Sequence, residues 1–390
     1  MPRLLGRRRE VVRGNIRPPD VLLIVAVVTL LLLGLESVYS ASFVMALAQY
    51  DNPMYFVARQ SVWAAIGTGA LFVLMSIDYH RWRRWTPLIL FVVLLCVALV
   101  LLPGFGRTQY GATRWLRLGP LPEVQPSEFL KLGMVMYLAA WMAGKRERIG
   151  TLHGGLIPFA IIIGSAAVLT LMQSDLGTTL IIVATAGTMF FIGGGSLRYM
   201  APSALLAAVV AVPVVLGAGY RQGRMESFLD PWSDPQGKGF HIIQSLIALG
   251  SGGWTGLGLG ASRQKFFYLP GAHTDAIYAV IGEELGFIGT MFVLVLFALL
   301  AYRGLTIVMT ARDDFGSFLA AGITAWFMYQ AILNIGGITK LIPFTGVPLP
   351  FISYGGSSLA ISLAATGILL NVSRYCVTDE KRATRRIVRM

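Results

Sequence analysis

Six charged side chains stand at or just inside the ends of long apolar runs: Glu128, Lys131, Asp175, Asp275, Glu283 and Glu284. An ionised group in such a place costs roughly 2.5–3.5 kcal/mol or more unless it is paired or hydrated, so each marks a candidate site. Glu128 and Lys131 are three residues apart on one helical face, a spacing at which they neutralise each other. Glu283 and Glu284 point about 100° apart around a helix, so one of them faces water or caps a neighbouring element. Asp275 closes Leu269-Pro270-Gly271-Ala272-His273-Thr274-Asp275, directly before an apolar run. Two readings are open for it. An acid at a helix N-terminus is ordinarily a cap or dipole partner; a carboxylate at the membrane–water boundary, in a polar cavity, has the chemistry of a general base.

Other constellations are weaker. Gly256-Leu257-Gly258-Leu259-Gly260 has no preceding strand and no following Lys-Ser/Thr, so it reads as close backbone packing and not as a nucleotide loop. His273, Asp275, Glu283 and Glu284 have a spacing that selects no metal, HExxH is absent, and nothing anchors a Ser/His/Asp triad. Cys96 and Cys376 cannot build a disulfide framework.

The elements that position these residues follow from composition. The chain has 390 residues, of which 55% are hydrophobic and only 13% charged, with mean hydropathy +0.68. A soluble domain carries about 25% charged residues, so this is an integral membrane protein. Ten runs suit membrane helices: 20–42, 55–77, 86–103, 127–143, 155–172, 177–193, 199–218, 276–301, 316–337 and 356–373. They are continuous and not alternating, which predicts an all-α bundle and excludes a barrel.

Basic residues cluster in alternate connections: Arg3 to Arg17 before the first run, Arg81, Arg83 and Arg84 after the second, and Lys145, Arg146 and Arg148 after the fourth. Arg198, then Arg303 and Arg312, and finally Arg374 to Arg389 continue the pattern. The positive-inside rule places these in the cytoplasm, with both termini inside and an even number of spans. Topology and anionic lipid thus account for the net charge of +13, and nothing points to nucleic acid. The first run resembles a secretory signal, but cleavage would upset the parity, so it reads as an uncleaved anchor. The expected organisation is a basic cytoplasmic segment 1–19, a membrane domain 20–373 and a basic cytoplasmic segment 374–390.

Three outer segments are long or irregular. Residues 104–126 carry Arg107, Arg114 and Arg117, against the usual bias for an outer loop. Residues 219–275 form a long extracytoplasmic loop between helices 7 and 8, whose apolar stretch Ile242–Leu249 is too short to span. Residues 338–355 are too apolar for a solvated loop and too rich in Pro and Gly for a helix. Such backbone survives at membrane depth only against protein or a polar cavity.

Five blocks resemble a known family: Gly111-Ala112-Thr113-Arg114-Trp115 leading to Gln125-Pro126-Ser127-Glu128-Phe129-Leu130-Lys131; Gln173-Ser174-Asp175-Leu176-Gly177-Thr178; Asp230-Pro231-Trp232 with Gln244-Ser245; residues 250–286; and residues 345–358. Over nearly its full length the chain resembles the SEDS proteins (shape, elongation, division and sporulation), the FtsW/RodA/SpoVE group of peptidoglycan glycosyltransferases. Gly239 to Ser245 is RodA-like, whereas 256–265 and Ile281-Gly282-Glu283-Glu284 are FtsW-like, and the FtsW-like reading is preferred. The family commonly has Glu where Gly271 stands, Phe where Ala276 stands, and Gln-Pro-Asp at 173–175.

The resemblance implies a polymerase in the bacterial cytoplasmic membrane that transfers a lipid-linked glycan chain onto lipid II on the outer face, releasing polyprenyl diphosphate, for division or elongation. It places Asp275 at the family's essential aspartate, the general base. Outer cations would neutralise the leaving diphosphate: Arg114 and Lys131 first, then Arg221, Arg224 and Lys340. Glu128, Asp175, His273 and Thr274 complete the substrate-binding candidates. Arg221 and Arg224 have Glu226 and Asp230 as competing partners, and Lys340 reads equally well as an interfacial snorkeller. No cofactor is implied beyond a loosely held divalent cation, Mg²⁺ or Mn²⁺, beside the diphosphate. The implied partner is a class B penicillin-binding protein, a single-span transpeptidase. The alternatives are a lipid II flippase, which needs polar access from both faces, and a non-catalytic scaffold of the cell-wall complex.

Overall fold

The computed structural model describes residues 17–109, 112–116, 123–196, 198–202 and 219–376. Most of the seventh expected span (203–218) and the greater part of both basic terminal segments lie outside them. Eleven α-helices are described: α1 Val21–Tyr50, α2 Tyr55–Ser76, α3 Thr86–Leu99, α4 Pro126–Gly144, α5 Ile157–Met172, α6 Leu176–Ile192, α7 Gly219–Leu229, α8 Phe240–Ser251, α9 Ile277–Thr310, α10 Asp314–Ile338 and α11 Gly356–Arg374.

The protein is a helical membrane protein, as its composition predicts. Among the described residues, six helical segments are long and apolar enough to cross a bilayer: α1, α2, Leu152–Met172, α9, α10 and α11. Helices α3 and α6 are shorter apolar helices of 14 and 17 residues. The 19-residue α4 carries Glu128 and Lys131 in its first two turns. One addition to the helical expectation is a hairpin, β1 Gly106–Gln109 against β2 Ala112–Leu116, antiparallel and with an irregularity between Arg107 and Thr108. Strands this short carry too little alternation to stand out beside apolar runs.

Helices α10 and α11 are the inner elements. Trp326 and Phe327 of α10 are wholly buried, and α10 packs on α4, α6, α9 and α11, while α2 lies along α11 and α1 along α9. The peripheral helices turn apolar side chains outward: Leu22, Val25, Val28 and Leu32 on α1, Val62, Ile66 and Phe72 on α2, Leu88, Phe91 and Leu95 on α3. Such faces suit lipid and not water.

The described ends of the chain meet. Arg17 N donates to Arg374 O at 3.0 Å and Asp20 N to Ser373 Oγ at 3.2 Å. Asp20 caps α1 by accepting from Leu23 N at 3.0 Å and takes Arg303 Nε at 2.9 Å. At this end also His80, in the turn between α2 and α3, lies between Asp78 at 2.7 Å and Asp313, the cap of α10.

Helix α9 breaks at Gly286 (φ 66°, ψ −162°), inside what the sequence presents as one apolar run. The break exposes carbonyls, and the 253–258 loop meets them: Leu257 N and Gly258 N donate to Glu283 O and Glu284 O, both at 3.0 Å. The glycine-rich stretch therefore packs backbone on backbone, as its sequence predicts. Residues 339–355 are irregular as expected, with Val347, Leu349, Phe351 and Ile352 buried. Side chains from neighbouring helices satisfy this backbone: Gln60 Nε2 reaches Ser353 O at 3.1 Å and Gln330 Nε2 reaches Pro348 O at 2.8 Å.

Candidate active site

Asp275 sits in the turn that leads into α9. The helix is capped by Ala276, without a side-chain hydrogen bond, so the capping role for Asp275 does not hold. Its carbonyl accepts from Asn334 Nδ2 of α10 at 2.8 Å, and the same nitrogen reaches Val347 O at 2.8 Å. One amide thus ties the acid to the irregular 339–355 segment. Thr274 Oγ1 donates to Asp275 Oδ1 at 2.9 Å, which fixes the plane of the carboxylate. Gly271 (φ 66°) leaves Oδ1 its room: a Cβ there would lie 2.2 Å from it.

The other carboxylate oxygen lies near a cation. A Cβ added at Gly346 would meet Asp275 Oδ2 at 3.4 Å and Arg224 Nη2 at 3.5 Å, so both groups border one residue that has no side chain. Arg224, on α7, is held by donation from Nη1 to Thr345 O at 2.9 Å and lies 5.9 Å from the Phe344 ring. Glu226 takes Lys238 Nζ at 2.6 Å, and Asp230 accepts from Trp232 N at 3.1 Å. The side chain of Arg221 lies outside the described residues. Asp275 and Arg224 are both half-buried, fixed yet reachable.

His273 forms a wall of the site. Its ring packs against Phe56 at 4.8 Å and Tyr354 at 5.4 Å, and its carbonyl accepts from Tyr354 N at 2.9 Å. Burial pulls its pKa down to about 4, against the pull of Asp275, so the ring is neutral at physiological pH.

Four other candidates, Arg114, Asp175, Lys131 and Glu128, are engaged within the protein. Arg114, on β2, forms an ion pair with Asp175 at 3.7 Å and donates to Ser174 O. Asp175 caps α6 through Thr178 N at 3.2 Å and also accepts from Thr178 Oγ1 at 2.9 Å. This pair staples the hairpin to the α5–α6 turn. Lys131 is buried, 2.9 Å from Glu128, 2.8 Å from Gln330 Oε1 and 5.1 Å from the Trp326 ring. The neutralisation foreseen from the spacing is what forms. Lys340 is half-buried with φ 57° at the end of α10.

Glu283 and Glu284 fasten the 256–265 loop to α9 and α1. Glu283 accepts from Ser262 Oγ at 2.5 Å and Arg263 N at 3.0 Å. Glu284 accepts from Ser40 Oγ of α1 at 2.6 Å and lies 3.5 Å from Lys265 Nζ. Neither faces water; of the two alternatives open for the pair, Glu283 takes the second and caps the neighbouring 262–264 turn. Among the described residues no three His, Cys, Asp or Glu side chains gather to hold a metal. A divalent ion would find one carboxylate here, the number that Mg²⁺ accepts when phosphate oxygens and water supply the rest.

Sequence reasoning missed Asn334, Gln330 and His241. Each is a polar side chain inside an apolar stretch, a signal in its own right, but hydropathy averaged over a run hides it.

Fold and site together define a polytopic helical membrane protein with a fixed carboxylate near an arginine at the end of the bundle away from the basic clusters. The chain belongs to the FtsW/RodA/SpoVE family, whose model, described as "Cell cycle protein", matches residues 21–377. It is 45% identical to stage V sporulation protein E of Bacillus subtilis over 92% of this chain and 97% of the relative. It is also 45% identical to a probable peptidoglycan glycosyltransferase FtsW of Trichlorobacter lovleyi, over 91% and 93%. Among solved structures it is similar to a chain of a peptidoglycan synthase complex studied for the coordination of polymerization and crosslinking (TM-score 0.74, 30% identity, 93% and 99% covered). The rod shape determining protein RodA of Thermus thermophilus is similar as well (TM-score 0.68, 27% identity, 93% and 98% covered). These likenesses fit the FtsW-like reading.

Proposed function

We propose that the chain is a peptidoglycan glycosyltransferase that extends glycan strands on the outer face of the bacterial cytoplasmic membrane, for division or elongation. A sugar hydroxyl of lipid II attacks the anomeric carbon of a glycan chain carried on polyprenyl diphosphate. The new C–O bond forms as the bond to diphosphate breaks, with inversion, and the hydroxyl proton passes to Asp275. General base catalysis of this kind contributes about 10²–10⁴ in rate. The leaving diphosphate needs no proton if its charge is met by a preorganised cation. Arg224 takes that role because its Nη2 and Asp275 Oδ2 both lie within 3.5 Å of the position a Cβ at Gly346 would take, with Arg114, Lys131, Arg221 and Lys340 as the other candidates. Mg²⁺ or Mn²⁺ enters only as a companion of the diphosphate.

The observation that carries this reading is the convergence of Asp275 Oδ2 and Arg224 Nη2 within 3.5 Å of the position a Cβ at Gly346 would take, with Asp275 held by Thr274 and Asn334. An even number of crossings, ten in our reading, agrees with the meeting of the described chain ends. A class B penicillin-binding protein supplies crosslinking beside it. A flippase needs polar access from both faces, whereas the buried ionisable groups gather towards one end. Proteoliposomes with lipid II confined to one leaflet test the choice. Glycan formed without leaflet exchange supports the enzyme. Exchange without glycan supports the flippase, and neither leaves a scaffold.

A further inference from the structure

Helix α8 brings to the site a side chain that the reaction above does not use. His241, in its first turn, stacks on Phe344 with ring centroids 4.2 Å apart and planes inclined by 35°. The same Phe344 ring lies 5.9 Å from the Arg224 guanidinium, and Arg224 and Asp275 both border Gly346 two residues further on. Nδ1 and Nε2 of His241 are both enclosed by protein and neither makes a well-formed hydrogen bond; the Pro270 carbonyl is the backbone acceptor that approaches the ring. Thr345 Oγ1, between Phe344 and Gly346, is likewise enclosed and without a hydrogen-bond partner. Enclosed polar atoms nearly always find partners, and leaving them unsatisfied is costly. Three such atoms grouped beside one carboxylate and one guanidinium mark a place that a polar ligand completes.

We propose that His241 is a substrate-contacting residue, whose ring nitrogens hydrogen-bond the hydroxyl-bearing sugar of the acceptor next to Asp275. The assignment rests on the polymerase reading and names which part of the substrate α8 holds. Two features select a sugar over a diphosphate. Burial, the largest effect, together with Arg224 holds the imidazole pKa below its usual value, against the opposing pull of Asp275 and the Pro270 carbonyl. A neutral imidazole offers one donor and one acceptor, the pattern a hydroxyl matches, whereas diphosphate oxygens only accept. Stacking on Phe344 fixes the ring plane, so the two nitrogens select for position as well as for polarity. Arg224 is then left to the anionic leaving group.

The test uses the full-length protein purified in lipid nanodiscs with lipid II as substrate. His241→Phe keeps an aromatic ring on Phe344 and removes both nitrogens. We expect its KM for lipid II to rise about five- to tenfold, the scale of a lost hydrogen bond, with a smaller change in kcat. His241→Gln, which restores a donor and an acceptor, should recover most of the loss. In the Asp275→Asn background the same His241→Phe change should weaken lipid II binding by a similar factor. An unchanged KM in a His241→Phe protein that melts like the wild type overturns the proposal. If the unaltered protein forms no glycan, the polymerase reading fails; if it does and the His241 results are negative, only this inference fails.

Discussion

Asn334 lies in mid-helix among apolar neighbours, yet its Nδ2 holds Asp275 O and Val347 O, each at 2.8 Å. Removing the amide leaves two carbonyls short of a donor at a cost of about 1–3 kcal/mol each. Asn334→Ala should therefore lower the melting temperature in detergent and slow polymerisation by shifting Asp275, and a variant with wild-type melting and rate would contradict this role. How much of the site was legible in the sequence depends on how local each contact is. The Glu128–Lys131 pair is local, set by a three-residue spacing on α4, and was readable. The Arg114–Asp175 pair joins a hairpin to a turn far along the chain, and no local pattern announces it. For Asp275, local sequence left the cap and base readings both open. The side chains around it, Thr274, Arg224 and Asn334, come together from three parts of the chain.

Among the elements, the irregular 339–355 segment was legible because Pro343, Pro348 and Pro350 deny it a helix while its apolar residues deny it solvent. The break in α9 was not, since one glycine in a long apolar run is ordinarily tolerated. Only the approach of the 253–258 backbone makes it necessary. Charge at the opposite end couples three elements: His80 joins the α2–α3 turn to Asp313, the cap of α10. Its hydrogen bond to Asp313, the largest effect, and that to Asp78 raise the imidazole pKa against partial burial. A raised folded-state pKa contributes stability that is complete below the unfolded value of 6.5 and is lost as pH climbs through the folded one. The melting temperature of the wild type should thus fall more between pH 6 and pH 9 than that of His80→Gln, about ranges spanning the imidazole titration. Parallel curves for the two would contradict the latch.

For the whole molecule, composition alone identified a membrane protein, and the alternation of basic connections gave an orientation. The exposed apolar faces of α1, α2 and α3 and the meeting of Arg17 with Arg374 are consistent with it. At α3 the helix stops short of its apolar run, whereas α6 fills its own. Orientation has a direct check. With Cys96 and Cys376 replaced by Ser, Trp232→Cys should react with an impermeant maleimide on intact cells, and Glu147→Cys only after permeabilisation. The reverse pattern would turn the molecule over and place Asp275 on the cytoplasmic side.

The central claim is that the Asp275 carboxylate takes the proton of the attacking hydroxyl. The measurement closest to it is glycan formation from lipid II by purified Asp275→Asn protein, alongside its melting temperature and its binding of lipid II. We predict unchanged melting, retained binding and a loss of rate of at least about 10²-fold. Polymerisation at the wild-type rate by a folded Asp275→Asn protein would contradict the account.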